Sequence, residues 1–368
     1  MLILGVDAGG TSSRAALFTV DGAPAGRGHA PGANPVTLGM DQACAHLTAA
    51  VQEAAAVSLP HVSAVVLGLA GHPGACRALA ARVLSPLLPH GPPVRVVGDT
   101  VTAFAAGTAA PSGTVLISGT GAIAAKITDH EQTATSDGYG WLLGDEGSGF
   151  WLGHAAARAT VHALAALAAL AAGSPESTGS AGSAGSGGSG GSGERCERCE
   201  STRSGGDGRL VALVVRHLLP EGAGEDPVAR LAAAVHARPP LALAELAPLV
   251  SRAAEAGDPV AQALVTEAAA RLASTAARVH EPGLPIVLAG GVLTSEGPVR
   301  RAVEDLLADA VTAGDAAGGA AWLAARELLP EADAQGLHAA FTKRPDRASH
   351  RTSRAAPPSH RTSRAALP

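Results

Sequence analysis

The chain has 368 residues, enough for two domains with cores of their own, and 46% of them are apolar, mostly Ala and Val, with aromatics at only 2%. Net charge is −5, but residues 343–368 hold seven Lys/Arg against Asp346 alone, a local +6 that leaves −11 on the rest and excludes nucleic acid as the main partner. No basic-then-apolar leader opens the chain, the most apolar long stretch (155–172) is Ala-dominated and carries Arg158 and His162, and four cysteines give no disulfide framework; a cytoplasmic protein without a membrane segment is expected.

The first apolar run, 2–6, ends in Asp7 and passes straight into Ala8-Gly9-Gly10-Thr11-Ser12-Ser13, after which a second run begins at Ala15. This pattern predicts a hairpin whose turn can touch phosphate. Gly9 and Gly10 let backbone N–H groups approach an anion, and Thr11 and Ser12 add hydroxyl donors. A carboxylate repels phosphate, so Asp7 suits Mg²⁺ held through water. The turn has no lysine and is not the GxxxxGK[ST] loop. Taken alone, the segment reads equally well as an ordinary Gly-rich hairpin.

Strands predicted at 2–7, 13–20 and 25–30 are followed by a helix at 40–57, a buried strand at 62–69, a helix at 74–88 and a strand at 94–97, a mixed α/β layer. Asp99 comes directly after the last of these, in Val96-Val97-Gly98-Asp99-Thr100. A carboxylate at the carboxyl end of such a strand faces the ligand crevice, where it can act as general base toward a hydroxyl; the competing assignment is a helix N-cap.

The pattern then restarts. Strands at 114–117 and 123–127 flank Ser118-Gly119-Thr120-Gly121, a second turn of the phosphate type, again with a plain hairpin as the alternative. Two such turns, each opening half of the chain, predict a duplicated two-lobe protein with a cleft. In the segment from Gly138 to Gly149, Trp141 offers a flat face to a sugar and Asp145 an acceptor for sugar hydroxyls; Asp145 and Glu146 at a helix start are the alternative. Helix is predicted over 147–172. Residues 173–193, with nine Gly and seven Ser, form a flexible linker within an insert reaching 207. Its Cys196-Glu197-Arg198-Cys199 lacks a second pair to complete a zinc site. A strand at 285–289 ends in Gly290-Gly291, where the bare backbone suits an adenine or ribose. A last helix is predicted at 318–329. Beyond it, a basic tail over 342–368 repeats Ser-His-Arg-Thr-Ser-Arg-Ala-Ala, and no packed structure is expected there.

With these motifs the chain resembles the sugar kinase, Hsp70 and actin ATPase superfamily, and within it the BadF/BadG/BcrA/BcrD-type ATPases, most closely the N-acetylglucosamine kinases. The resemblance covers about 1–172 and 209–329 and is carried by Asp7-Ala8-Gly9-Gly10-Thr11, Leu116 to Gly121, and Gly140-Trp141 with Gly144-Asp145-Glu146-Gly147-Ser148. It implies an α/β, ribonuclease H-like actin/hexokinase fold with a central cleft. The expected lobes are 1–110, on which the helix 318–329 is a candidate to pack, and 111–317. It further implies ATP and Mg²⁺ as cofactors, an amino sugar as substrate, and a homodimer. Thr11 and Thr120 are then expected at the ATP phosphates, Asp7 in the metal shell, and Gly290 and Gly291 at the adenosine. Asn34, Gly140, Trp141 and Asp145 are expected at the sugar, with Asp99 as the base. Ala70 stands where some relatives carry a Ser, which leaves glucosamine or another amino sugar as alternatives to N-acetylglucosamine. A different branch of the family activates redox enzymes through an iron–sulfur cluster and needs suitably placed cysteines; 77–195 contains none.

Overall fold

The computed structural model describes residues 1–172, 208–222 and 224–344. The Gly/Ser insert with Cys196 and Cys199, and the tail after Arg344, lie outside the described residues. The first half runs β1 (Leu2–Ala8), β2 (Ser12–Thr19), β3 (Pro24–Pro31), α1 (Pro35–Leu38), α2 (Met40–Ala55), a 3₁₀ turn (Ala56–His61), β4 (Val62–Leu69), α3 (Pro73–Leu87), β5 (Val94–Gly98) and α4 (Asp99–Ala105). Its sheet has the order β3-β2-β1-β4-β5, antiparallel through β1, β2 and β3 and parallel from β1 to β4 to β5.

The second half runs β6 (Gly113–Ser118), β7 (Ala122–Thr128), β8 (Glu131–Asp137), α5 (Gly149–Ala172), α6 (Arg209–Leu218), α7 (Pro227–His236), a 3₁₀ segment (Pro240–Leu246), α8 (Ala247–Glu255), α9 (Pro259–Ala277), β9 (Ile286–Ala289), α10 (Gly291–Thr294), α11 (Pro298–Leu306) and β10 (Val311–Thr312). Its sheet order, β10-β9-β6-β7-β8, repeats the first: a three-strand meander whose first strand is parallel to the next two. Two helices close the described chain, α12 (Ala316–Ala325) and α13 (Glu331–Thr342).

Side-chain alternation sorts each sheet into two faces. On β1 and β2, Leu4, Val6, Ala8, Ala15 and Leu17 face outward onto α2 and α3. Ile3, Ala16 and Phe18 face inward and share a core with α4 and α12. That inner core also takes Val115, Ala125, Ile127 and Val287 from the second sheet, so α4 and α12 form a layer between the sheets. The outer face of the second sheet, with Leu116, Ala124 and Leu288, is covered by α5, α8 and α9.

So few aromatics can fill a core this size only if backbones approach closely. They do so at glycines. A Cβ on Gly5 of β1 would overlap Ala317 O and Ala321 N of α12, and one on Gly319 would stand 2.6 Å from Thr102 O of α4. The main aromatic of the inner layer is Trp322, fully buried, with its indole N–H donating to Ala334 O at 2.7 Å.

Several elements depart from expectation. β8 reads Glu-Gln-Thr-Ala-Thr-Ser-Asp, with five exposed positions, and so lacks the apolar alternation that marks a strand. Helices α6 to α9 are not among the predicted elements, although Asp226-Pro227 and Asp258-Pro259 are caps followed by Pro at the first position, and each Asp side chain accepts from a backbone N–H as a cap should. Helix α13 corresponds to no predicted element either. Its last residue, Thr342, is expected in the tail but is helical, and Arg344 just beyond it donates to Ala313 O at 2.7 Å.

The β7–β8 turn carries an unusual histidine. His130 is buried to 3% exposure, stacks edge-on to Trp322 with centroids 5.5 Å apart, and has no hydrogen-bond partner among the described residues for either ring nitrogen. Burial, then the positive Arg326 and Arg95, push its pKa down to about 4, against a slight pull upward from Asp129. A folded value below the unfolded one means stability that is complete above pH 6.5 and lost as pH falls toward 4. We expect about 2 kcal/mol of destabilisation between pH 7.5 and 5 from this group alone. His130→Asn, which tolerates the left-handed backbone (φ 58°), should remove that share of the acid sensitivity in urea titrations at the two pH values. An unchanged pH dependence would reject the assignment.

Candidate active site

The two Gly-Thr turns face each other. The first closes through Gly9 N–H on Ser12 O at 3.0 Å and the second through Gly119 N–H on Gly121 O at 2.9 Å. Thr11 Oγ1 and Thr120 Oγ1 meet at 3.0 Å between them. A Cβ placed on Gly9, Gly10 or Gly291 would find nothing within 4 Å, so the backbone there borders open space, the condition for a phosphate or ribose to approach. Gly290 is constrained instead. It has φ 81°, and a Cβ would overlap Ser118 O and stand 2.9 Å from Gly119 N, so the end of β9 crosses directly over the second turn. Of the first turn's hydroxyls, Ser13 is fully buried and donates to Pro31 O at 2.9 Å, which leaves Thr11 and Ser12 toward the cleft.

Asp7 and Asp99 approach each other through one residue that the sequence reading did not single out. Thr102 Oγ1 lies 2.8 Å from Asp7 Oδ1, to which it donates, and 3.0 Å from the carbonyl of Asp99. Asp99 is the first residue of α4, with Gly98 in the capping position, so it is neither an N-cap nor buried out of reach. Burial raises its pKa to about 6, while backbone N–H groups of Thr100 and Asp99 itself oppose the shift. Burial raises Asp7 to about 7, the charge of Asp99 adds to this, and Thr102 and Arg14 pull it back. Among the described residues no group of three or more His, Cys, Asp or Glu could hold a metal. A lone carboxylate beside phosphate-type turns still suits Mg²⁺, which keeps most of its waters and takes phosphate oxygens as further ligands.

The loop before α1 is tied to the first turn. Ala33 N–H donates to Gly9 O at 3.1 Å, and His46 of α2 lies 2.7 Å from Gly32 O. Asn34 caps α1: its Oδ1 accepts from Val36 N–H at 2.9 Å, so its amide has the Nδ2 donors to offer a ligand. A Cβ on Gly71 (φ 130°) would stand 3.1 Å from the same Oδ1, which places Ala70-Gly71 beside Asn34.

On the other side, the 138–148 segment is organised by Asp137, a second residue the sequence reading passed over. Its carboxylate accepts from Gly138 N–H (2.7 Å), Asp145 N–H (2.8 Å) and Glu146 N–H (2.8 Å). Asp145, 7% exposed, turns its Oδ1 under the second turn to accept from Ala122 N–H at 3.0 Å. Burial first, then Asp137, raises its pKa, and the Ala122 hydrogen bond lowers it. Glu146 pairs with Arg271 of α9. Trp141 is 37% exposed and packs on Phe150, whose N–H donates to Thr120 O at 3.0 Å; Gly140 accepts from Leu143 and Gly144 N–H. The structure thus links Asp7, Thr11, Asn34, Asp99, Thr120, Asp145 and Gly290 through direct neighbours and joins Trp141 to Thr120 through Phe150, while Gly140 contacts only its own loop.

Two halves of one topology, a helical layer between them and Gly-Thr turns meeting at the cleft define a two-lobe ATPase fold of the actin/hexokinase type. The family model for BadF/BadG/BcrA/BcrD ATPases matches residues 4–318, and the chain belongs to that family. A candidate N-acetylglucosamine kinase from Chromobacterium violaceum is 26% identical, with a TM-score of 0.59 over 88% of this chain and 98% of that one. A second candidate N-acetylglucosamine kinase, from Porphyromonas gingivalis, is 22% identical, with a TM-score of 0.55 over 83% of this chain and 90% of that one, and is alike in fold. Among the described residues no helix is long and apolar enough to cross a membrane.

Proposed function

We propose that the protein transfers the terminal phosphoryl group of ATP to a hydroxyl of an amino sugar, N-acetylglucosamine at O6. The observation that carries this reading is the meeting of the two Gly-Thr turns, at 3.0 Å between Thr11 and Thr120, with Asp99 tied through Thr102 to Asp7 at the base of the first turn. Family membership supports the ATP half, and the 26% identical neighbour supports the sugar half.

In this reading Gly9, Gly10, Thr11, Ser12, Gly119, Thr120 and Gly121 hold the phosphates, and Gly290 and Gly291 border the adenosine. Asp7 would hold Mg²⁺ through water, and the ion would supply charge neutralisation at the phosphate oxygens. Asn34 donates through Nδ2 to a sugar oxygen, Asp145 offers Oδ2, and Trp141 with Gly140 covers the sugar face. Asp99 accepts a hydrogen bond from the attacking hydroxyl and takes its proton late. A carboxylate is a weak base toward an alcohol even at a pKa of about 6, so positioning and electrostatics must supply most of the acceleration.

Sugar-dependent ADP release, measured with N-acetylglucosamine, glucosamine, N-acetylmuramic acid, N-acetylmannosamine and glucose, tests the reading. N-acetylglucosamine should give the highest kcat/KM. A higher value for glucosamine would reassign the substrate, and the absence of sugar-dependent release with all five would reject kinase activity.

A further inference from the structure

We propose that Thr102 is a positioning residue: its hydroxyl ties the Asp7 carboxylate to the start of α4 and so fixes the separation between the metal-shell carboxylate and the Asp99 base. This rests on the phosphoryl-transfer reading above and adds to it the part that keeps two like charges in register.

Asp7 belongs to β1 and Asp99 opens α4, so their spacing depends on how the helix sits on the sheet. Two carboxylates in one cleft repel, and nothing in either element alone holds them at a set distance. Thr102 is fully buried one turn into α4. Its Oγ1 lies 2.8 Å from Asp7 Oδ1 and 3.0 Å from the Asp99 carbonyl. The second contact is a bond back to the helix's own backbone, which restricts the side-chain rotamer and aims the hydroxyl at β1. With Oδ1 engaged by Thr102, Oδ2 is the oxygen of Asp7 left for metal-bound water.

The sheet makes room for this contact. Asp7 and Gly68 are paired neighbours on the parallel strands β1 and β4 and share the inner face. A Cβ on Gly68 would stand 2.2 Å from Thr102 Oγ1 and 2.4 Å from its Cγ2, so the Thr102 side chain fills the notch that Gly68 leaves beside Asp7. From behind, Gly319 of α12 presses on the Thr102 carbonyl, where a Cβ would come within 2.6 Å. Two glycines thus clamp Thr102 between α12 and β4. The two halves of the fold differ at this place: in the second sheet the last inner-face pair of the corresponding strands is Ile117 and Ala289, with neither carboxylate nor notch. A valine would fill the Gly68 notch as well as a threonine does. What packing alone does not explain is the hydroxyl directed at the carboxylate.

The test separates hydroxyl from shape. Thr102→Val keeps the branched side chain and loses the donor; Thr102→Ser keeps the donor and loses the methyl. Thr102→Val should lower kcat about 10–10²-fold, the effect of a misplacement of up to about 1 Å at reacting groups, with the sugar KM nearly unchanged. Thr102→Ser should hold kcat within about threefold of wild type although the lost methyl lowers Tm by about 2–4 °C. Calorimetric titration with ADP, with and without Mg²⁺, reads the metal shell without turnover. The gain in ADP affinity that Mg²⁺ brings should shrink about 3–10-fold in Thr102→Val, the size of one hydrogen bond to a charged group, while metal-free ADP binds as in wild type. A kcat in Thr102→Ser as low as in Thr102→Val overturns the proposal, because packing then sets the rate. So does a wild-type kcat and Mg²⁺ gain in Thr102→Val. If wild type turns over no sugar, the phosphoryl-transfer reading fails, yet the Mg²⁺ gain still decides whether Thr102 orients Asp7.

Discussion

Asp99→Asn is expected to lower kcat by about 10²–10⁴-fold, the range over which a positioned general base contributes, while sugar affinity measured by calorimetry stays close to wild type. The substitution is nearly isosteric, and the amide oxygen can still accept from Thr100 N–H, the contact that holds the carboxylate at the start of α4. What is lost is proton acceptance. In the wild type, kcat should rise with pH through about 6, the value to which burial lifts this carboxyl, and the variant should lack that limb.

The same substitution should move stability the other way. A carboxyl whose folded pKa lies above its unfolded value of 3.8 contributes stability below 3.8 and loses it as pH rises through about 6, so at pH 8 the ionised side chain is a cost. Asp99→Asn should therefore raise Tm at pH 8 and gain nothing near pH 4. Near-normal turnover would sink the base assignment; a lowered Tm at pH 8 would show that the carboxylate has a stabilising partner.

Gly32→Ala should also damage activity strongly, through the phosphate turn rather than the sugar. A Cβ on Gly32 would overlap the Gly10 carbonyl and stand 2.8 Å from Thr11 N. The obstacle is backbone on both sides, and His46 holds the Gly32 carbonyl from behind, so the loop cannot retreat freely. The turn has to shift instead. A displacement of about 1 Å at reacting groups costs about 10²-fold in rate, and overpacking of this kind costs about 1–3 kcal/mol. Gly10→Ala is the informative contrast. Nothing lies within 4 Å of that Cβ, so Tm should hold while nucleotide affinity falls, because the new methyl occupies the space reserved for phosphate. Loss of Tm in Gly10→Ala, or wild-type Tm and activity in Gly32→Ala, would contradict this account.

The repeated turn was legible because Gly-Gly-Thr and Gly-Thr-Gly each sit between apolar runs, and the strand ends at Asp7 and Asp99 were legible for the same reason. The two-lobe fold followed from that repetition. Thr102 was not legible. Its importance lies in reaching Asp7 from α4, a contact across 95 positions, and a threonine within an apolar helix looks like any other. Asp137 was hidden by the polar strand it ends, since β8 has no apolar period to show where the strand stops. Asp145 was recognisable as polar rim, but nothing local to it marks that its Oδ1 turns under the neighbouring hairpin. Local patterns mark where backbone approaches a ligand; which side chain supports which turn depends on partners distant in the chain.

Helix α12 also bears on how the protein is made. It lies against β1 so closely that Gly5 must be glycine, yet Gly5 and Ala317 are 312 positions apart. At about 5–20 residues per second, a ribosome takes roughly 15–60 s to synthesise the stretch between them. Throughout that interval the inner face of the first sheet, with Ile3, Phe18 and Val66, has no α12 to cover it. We expect the nascent first half to depend on a chaperone or on transient self-association, so that slowed synthesis ahead of residue 316 increases aggregation more than an equal delay after residue 325.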